Sequence, residues 1–240
     1  MLKIPILDVE HLSEDMIFVY EDVIQDDLYY KGQLILSYTV KFPRFISACY
    51  QVALDKINNY YKTKANMYVQ TDIGNLYQNA AVDYEYAVSN NFPVRSFEVI
   101  TEFVVTYNRD CVLSLYFDRY EYTGGAHGST VRTSDTWNVA CSSPVRLDSL
   151  FPFAYDLDEY VTDNIARQIN QLAMTEAESF PYFDDYEVLV REHFNPYSFY
   201  LTYKGVIIYY QQYDIAPYST GIPEFLIPYG IGAAIRPRYC

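Results

Sequence analysis

Two short stretches hold the residues best suited to chemistry. The first is Tyr122-Thr123-Gly124-Gly125-Ala126-His127-Gly128, which sets one of the chain's 3 histidines in a glycine-rich turn. Imidazole charges near neutral pH, so a histidine there can act as a base or a ligand. The second runs from Tyr213 through Tyr218 to Pro223 and holds two tyrosines beside proline and glycine. Such a loop usually fixes architecture, and Tyr213 and Tyr218 are its candidates for a binding surface. The other histidines, His11 and His193, stand in unrelated contexts. No His-x-x-His or His-Glu-x-x-His pattern suggests a metal site. There is no Gly-x-Ser-x-Gly elbow, and Gly124-Gly125 lacks the lysine and helix of a phosphate loop. Asp184-Asp185, or Asp156 with Asp158, resemble a glycosidase pair. With 31 acidic residues such pairs arise by chance, and a solvated face is the simpler reading. The simplest role for His127 is structural, its ring nitrogens bonded to nearby backbone. Ligand contact at His127 and Tyr122 is the second reading. The expectation is a chain with no catalytic residue, no cofactor and no metal.

The turn needs strands to hold it. Before it, Cys111, Leu113, Leu115 and Phe117 alternate with Val112, Ser114, Tyr116 and Asp118. After it, Asp135, Trp137, Val139 and Cys141 share one parity. Alternation marks half-buried strands, because successive side chains point to opposite faces. The stretch therefore reads as a β-hairpin. Centring the turn on Ala126 pairs Leu113 with Val139, Leu115 with Trp137 and Phe117 with Asp135, and sets Cys111 opposite Cys141. In an oxidising compartment those two cysteines could bridge; in a reducing one they would be facing thiols. The 4 cysteines show no CxxC spacing, so a zinc knuckle is not indicated.

The 240 residues allow one large domain or two small ones, and 50% are hydrophobic, enough for a sizeable core. The 28 tyrosines point to a sheet-rich fold and to broad aromatic surface. A formal charge of −14 disfavours nucleic acid and anionic lipid and favours cationic partners. No window reaches the roughly 18 apolar residues of a membrane span, and the first residues lack the pattern of a signal peptide. As written, the chain reads as cytoplasmic or as lacking an export segment.

In chain order, residues 1–13 read as an ordered lead-in. Met16–Tyr20 is a short strand, Glu21–Asp27 an acidic loop and Leu34–Phe42 a strand ended by Pro43. Arg44–Lys62 and Asn79–Val88 are helices by their apolar spacing. Val94–Tyr107 is a strand leading into the hairpin, so three strands form a meander. Leu147–Phe151 is a helical turn, 156–179 the longest helix and Asp184–His193 a shorter one. Phe199–Tyr203 and Val206–Tyr210 form a second hairpin, followed by the proline-containing loop and an edge strand, Phe225–Ile227. This is an α+β fold: an antiparallel meander with helices packed on one face. It divides into two intertwined subdomains, residues 1–143 and 144–240.

Three segments carry a resemblance: Tyr122 to Gly128; Leu147-Asp-Ser-Leu-Phe151; and Phe199-Tyr-Leu-Thr with Gly205-Val-Ile-Ile-Tyr-Tyr and Tyr213 to Pro223. In order and spacing they resemble the paired domains of unknown function in the extracellular part of RsiV-type anti-sigma factors, which sense lysozyme. The same pair precedes the catalytic domain of PdaC-type peptidoglycan deacetylases. The resemblance spans roughly residues 30–230 and implies a two-part α+β module of the bacterial cell envelope. It implies binding of lysozyme or another cationic protein, or of a peptidoglycan glycan. No transmembrane helix, sigma-binding segment or deacetylase domain is present to carry over a sensing or deacetylase role. The alternative is a hydrolase of an envelope substrate with its site near His127.

Overall fold

The computed structural model describes residues 16–175, 180–230 and 233–240. The expected lead-in, with His11, and the last turn of the helix assigned to 156–179 lie outside the described residues.

A six-stranded sheet is ordered β1-β2-β3-β4-β5-β6. Its strands are β1 Phe18–Tyr30, β2 Gln33–Ile46, β3 Phe97–Arg109, β4 Val112–Tyr122, β5 Ser129–Asn138 and β6 Ser143–Pro144. All neighbours are antiparallel except β2 and β3, which run parallel from Leu36 opposite Phe97 to Val40 opposite Thr101. A parallel pair needs a crossover. Here helix α1 (Gln51–Tyr68), a π-helical segment (Val69–Ile73) and α2 (Gly74–Ser89) supply it without a break. The second sheet is β7 Phe199–Leu201, β8 Gly205–Tyr209 and β9 Glu224–Pro228, with α3 (Leu157–Thr175) and α4 (Tyr186–Glu192) beside it.

Strand β4 explains how the layers join. Its odd residues Leu113, Leu115 and Phe117 pack under α1 against Leu54, Ile57, Tyr61 and Ala65. Its even residues turn the other way. Val112 and β3's Tyr107 enter a core with Val161 and Ile165 of α3 and Leu201, Val206 and Ile208 of the second sheet. The Ser114 hydroxyl is fully buried there, 2.7 Å from the Thr136 hydroxyl, and accepts the Leu201 amide at 2.9 Å. Burying that hydroxyl without partners would be costly; with both, it fixes β7 on the sheet. The fold is α+β as read from the sequence, but the meander is covered on both faces, by α1 on one and the second sheet on the other.

Several boundaries differ, for physical reasons. The hairpin β4–β5 pairs Leu113 with Trp137 and Leu115 with Asp135, centred on Gly125, not Ala126. The slip is two residues, so each side chain keeps its face and Leu115 and Trp137 stay in the same core. It moves Cys141 off the ladder: Cys111 accepts the Val139 amide instead, at 2.8 Å. The expected Cys111–Cys141 bridge therefore does not form; Cys111 is bonded to Cys240, and Cys141 and Cys49 are free and exposed. The acidic segment 21–27 is strand, not loop. Being an edge, β1 exposes most of both faces and so shows no apolar period. Strand β2 runs through Pro43, since β3 pairs only as far as Val40 and one side of the strand is free there. The helix expected from Arg44 starts at Gln51, leaving Val52 exposed, and the two expected helices are joined by the π-helical segment.

Candidate functional site

The two sequence motifs meet, although about ninety residues separate them. Two glutamines bring them together. Strand β5 has an edge that short β6 leaves open beyond Trp137. Gln211 takes it up with its side-chain amide: Oε1 accepts the Arg132 amide at 2.9 Å and Nε2 donates to the Arg132 carbonyl at 2.7 Å. Gln212 Oε1 accepts the Thr130 amide at 2.8 Å. These amide groups do what a neighbouring strand would do, and they satisfy exposed backbone groups of β5. The chain then turns through Asp214, whose Oδ2 accepts the Gln211 amide at 2.7 Å, and lays residues 213–220 against the hairpin loop.

One carbonyl gathers the rings. Gly128 O accepts from Tyr218 Oη at 2.9 Å and from His127 Nδ1 at 2.9 Å. His127 stacks on Tyr218 with centroids 4.0 Å apart and planes 23° apart, and Tyr213 lies 5.8 Å from Tyr218 on a tilt of 32°. Tyr213 is 55% exposed and holds a positive φ of 70°. A Cβ at Gly128 would lie 2.4 Å from the Tyr120 ring, so a side chain there would have to displace that ring. Tyr122 stands at the root of the loop, outside the stack, donating to Gly125 O at 3.1 Å. Arg95 braces the same loop by donating to Gly124 O. His127, Tyr218 and Tyr213 thus form one aromatic platform, its first two rings held by the Gly128 carbonyl. Among the described residues, the ring of His127 has Gly128 O and Tyr218 as its partners.

Beneath the platform, Arg132 ties the sheets together. It is 8% exposed, forks onto Asp118 through Nε at 2.7 Å and Nη2 at 2.6 Å, and reaches Glu224 of β9 through Nη1. Its guanidinium lies 3.9 Å from the centre of the Tyr116 ring. Burial alone would lower its pKa, but the two carboxylates raise it above the ordinary arginine value.

A separate cleft opens between α1 and the sheet, with a volume of about 880 Å³. Phe42, Tyr60, Tyr61, Met67, Phe117 and Val131 make its apolar walls. Nothing in the sequence reading pointed to it. The signal was there: Lys56, Tyr60, Lys64 and Met67 recur at three- and four-residue spacing on one flank of α1, beside the buried stripe Leu54, Ile57, Tyr61, Ala65.

Below the Tyr61 side of the cleft lies Asp135. Its Oδ2 is buried without a hydrogen bond, and Lys64 Nζ approaches only to 3.9 Å. Burial raises its pKa despite the opposing pull of Lys64 and a hydrogen bond from Tyr61. A carboxyl whose folded pKa is raised favours folding when protonated. That contribution is full below the ordinary carboxylate pKa and is lost as pH rises through the folded value. Asp135→Asn is therefore expected to melt higher than the native protein at neutral pH and to converge with it in acid. Thermal melts across pH check this.

Among the described residues no group of three or more His, Cys, Asp or Glu is placed to hold a metal, and no helix is long and apolar enough to cross a membrane. Residues 31–130 match the family described as deacetylase PdaC, and residues 148–230 match the protein family of unknown function DUF3298. No curated protein matches the chain. A crystal structure of a DUF3298 family member from Bacteroides fragilis is similar at 21% identity and a TM-score of 0.70, over 90% of this chain and 92% of that one. A DUF3298 family protein from Pseudomonas aeruginosa is similar at 18% identity and a TM-score of 0.56, over 92% and 96%. At those identities the likeness is one of fold. The chain thus matches a PdaC-type domain and a DUF3298 domain in tandem.

Proposed function

We propose that this protein is a non-catalytic binding module of the cell envelope and that its ligand is a cationic protein such as lysozyme. The observation that carries the reading is the platform of His127, Tyr218 and Tyr213, built where loops of the two domains meet. Pre-positioned tyrosines of this kind dominate protein interfaces, since they bring large area at little entropic cost. A net charge of −14 adds attraction to a basic partner. The Cys111–Cys240 bond suits an oxidising compartment, where lysozyme acts. The paired-domain resemblance to lysozyme-sensing proteins points the same way. A hydrolase centred on His127 would need a carboxylate or nucleophile beside the ring, and its partners are a carbonyl and a tyrosine.

Immobilised lysozyme is expected to retain the protein at low salt and to release it at high salt. Tyr213→Ala removes an exposed ring without touching the core, and it is expected to weaken binding by about tenfold or more. Retention at neither salt, or unchanged binding by the variant, overturns the reading. The exposed ring faces favour a second ligand, a peptidoglycan glycan. It would bind equally at both salts, and sacculi in place of lysozyme distinguish it.

A further inference from the structure

We propose that the cleft between α1 and the six-stranded sheet binds a free single-chain anionic amphiphile, with its hydrocarbon tail along the apolar floor and its carboxylate or phosphate at the lysines of α1. The cleft shares no residue with the aromatic platform, so this site is independent of the function proposed above.

Size and lining come first. A cleft of about 880 Å³ falls in the range that holds small organic ligands, roughly 300–1,000 Å³. Its floor is Phe42 and Phe117 from the sheet, and Tyr61 and Ala65 from α1. These groups also belong to the core beneath, so the cleft is where the helix stops covering that core.

Charge selects the head group. Among the described residues, Lys41, Lys56, Lys64 and Arg119 line the cleft, and Asp72 is the only acidic residue that does. In a chain of net charge −14 this is an inversion of the local sign. The two cations from the sheet are engaged: Lys41 with Glu102 at 3.1 Å and Glu21 at 3.9 Å, Arg119 with Glu121 at 3.0 Å. The two from the helix are less committed. Among the described residues Lys64 has Tyr60, through Oη at 3.4 Å and over its ring at 5.4 Å, and Asp135 at 3.9 Å. Lys56 forms no ion pair among the described residues. They sit two helical turns apart on the flank that faces the opening, so one anion at the mouth can draw on both. A neutral glycan would leave this charge unused, and a cationic chain would be repelled by it.

Two further features lie at the same place. The Thr101 hydroxyl oxygen is buried beside the cleft without a hydrogen-bond partner. The π-helical segment puts Thr71 and Asp72 on the rim. Such segments within helices are frequent at functional sites.

The test uses the single tryptophan. Trp137 lies 5.2 Å from the Tyr60 ring of the cleft wall and donates its indole N–H to Tyr61 Oη at 2.7 Å. Below their micelle concentrations, decanoate and dodecanoate are titrated against the full protein and the tryptophan emission is followed. Dodecyl phosphate tests the other head group, and dodecyltrimethylammonium is the cationic control. A saturable change is expected with both anions, tightening about fourfold per added methylene until the cleft is full. The double variant Lys56→Glu with Lys64→Glu is expected to bind about tenfold more weakly. Thr133→Phe, at an exposed wall position, is expected to block the tail while leaving the melting temperature unchanged. Equal binding of the cationic chain, no dependence on chain length, or full binding by Thr133→Phe overturns the proposal. So does co-sedimentation with phosphatidylglycerol vesicles without response to the free acids, which would assign the site to a membrane surface.

Discussion

Arg132→Ala is expected to lower the unfolding free energy by about 3 kcal/mol, the lower end of what breaking a buried ion pair costs. The guanidinium is the only cation among the groups it joins: Asp118 on β4, Glu224 on β9, and the ring of Tyr116. Without it, two carboxylates face each other across the junction of the sheets. Their side chains keep 31% and 40% of their surface exposed, so water relieves part of the repulsion and the larger values in that range are not reached. Arg132→Lys is expected to recover only part, since an ammonium cannot fork onto Asp118 and reach Glu224 together. Urea unfolding followed by the Trp137 emission measures all three proteins. A loss below about 1 kcal/mol for the alanine variant would mean that the junction does not depend on this charge.

Gly205→Ala is expected to cost about 3 kcal/mol or more, because the added methyl runs into the backbone of β9. A Cβ there would lie 2.2 Å from the Ile227 carbonyl oxygen and 2.7 Å from the Pro228 Cα. A flexible side chain could swing aside; a strand cannot. Relief requires β9 to move, and β9 carries Phe225 and Ile227 into the core shared with α3. The variant should therefore melt well below the native protein and unfold at lower urea. Equal stability would show that β9 is held loosely.

Sequence legibility follows from which constraint governed each element. The faces of β4 and β5 were readable because burial on both sides penalises a one-residue slip; the two-residue slip actually present changes no face and so left no trace. The meeting of the His127 and Tyr218 loops was not readable from spacing. It depends on Gln211 and Gln212 completing an open strand edge, and side-chain amides carry no periodic signal. Tyr122 lies at the root of the His127 loop and outside the stack. Cys111 found Cys240 at a separation of 129 residues, which no local pattern encodes. The cleft lies on the flank of lysines and aromatics beside the buried stripe of α1, and spacing alone does not tell a cleft wall from solvated surface.

The Cys111–Cys240 bond also decides how the protein would bear load. Tension applied at residue 240 enters the fold at Cys111, just before β4, and passes around residues 112–239. The hairpin with His127, the second sheet and the platform all lie inside that covalent loop and are shielded from the pull. The strands left to carry it are β1, β2 and β3. Unless the bond is reduced, a stretched molecule would thus give up its first three strands while its aromatic face stayed assembled.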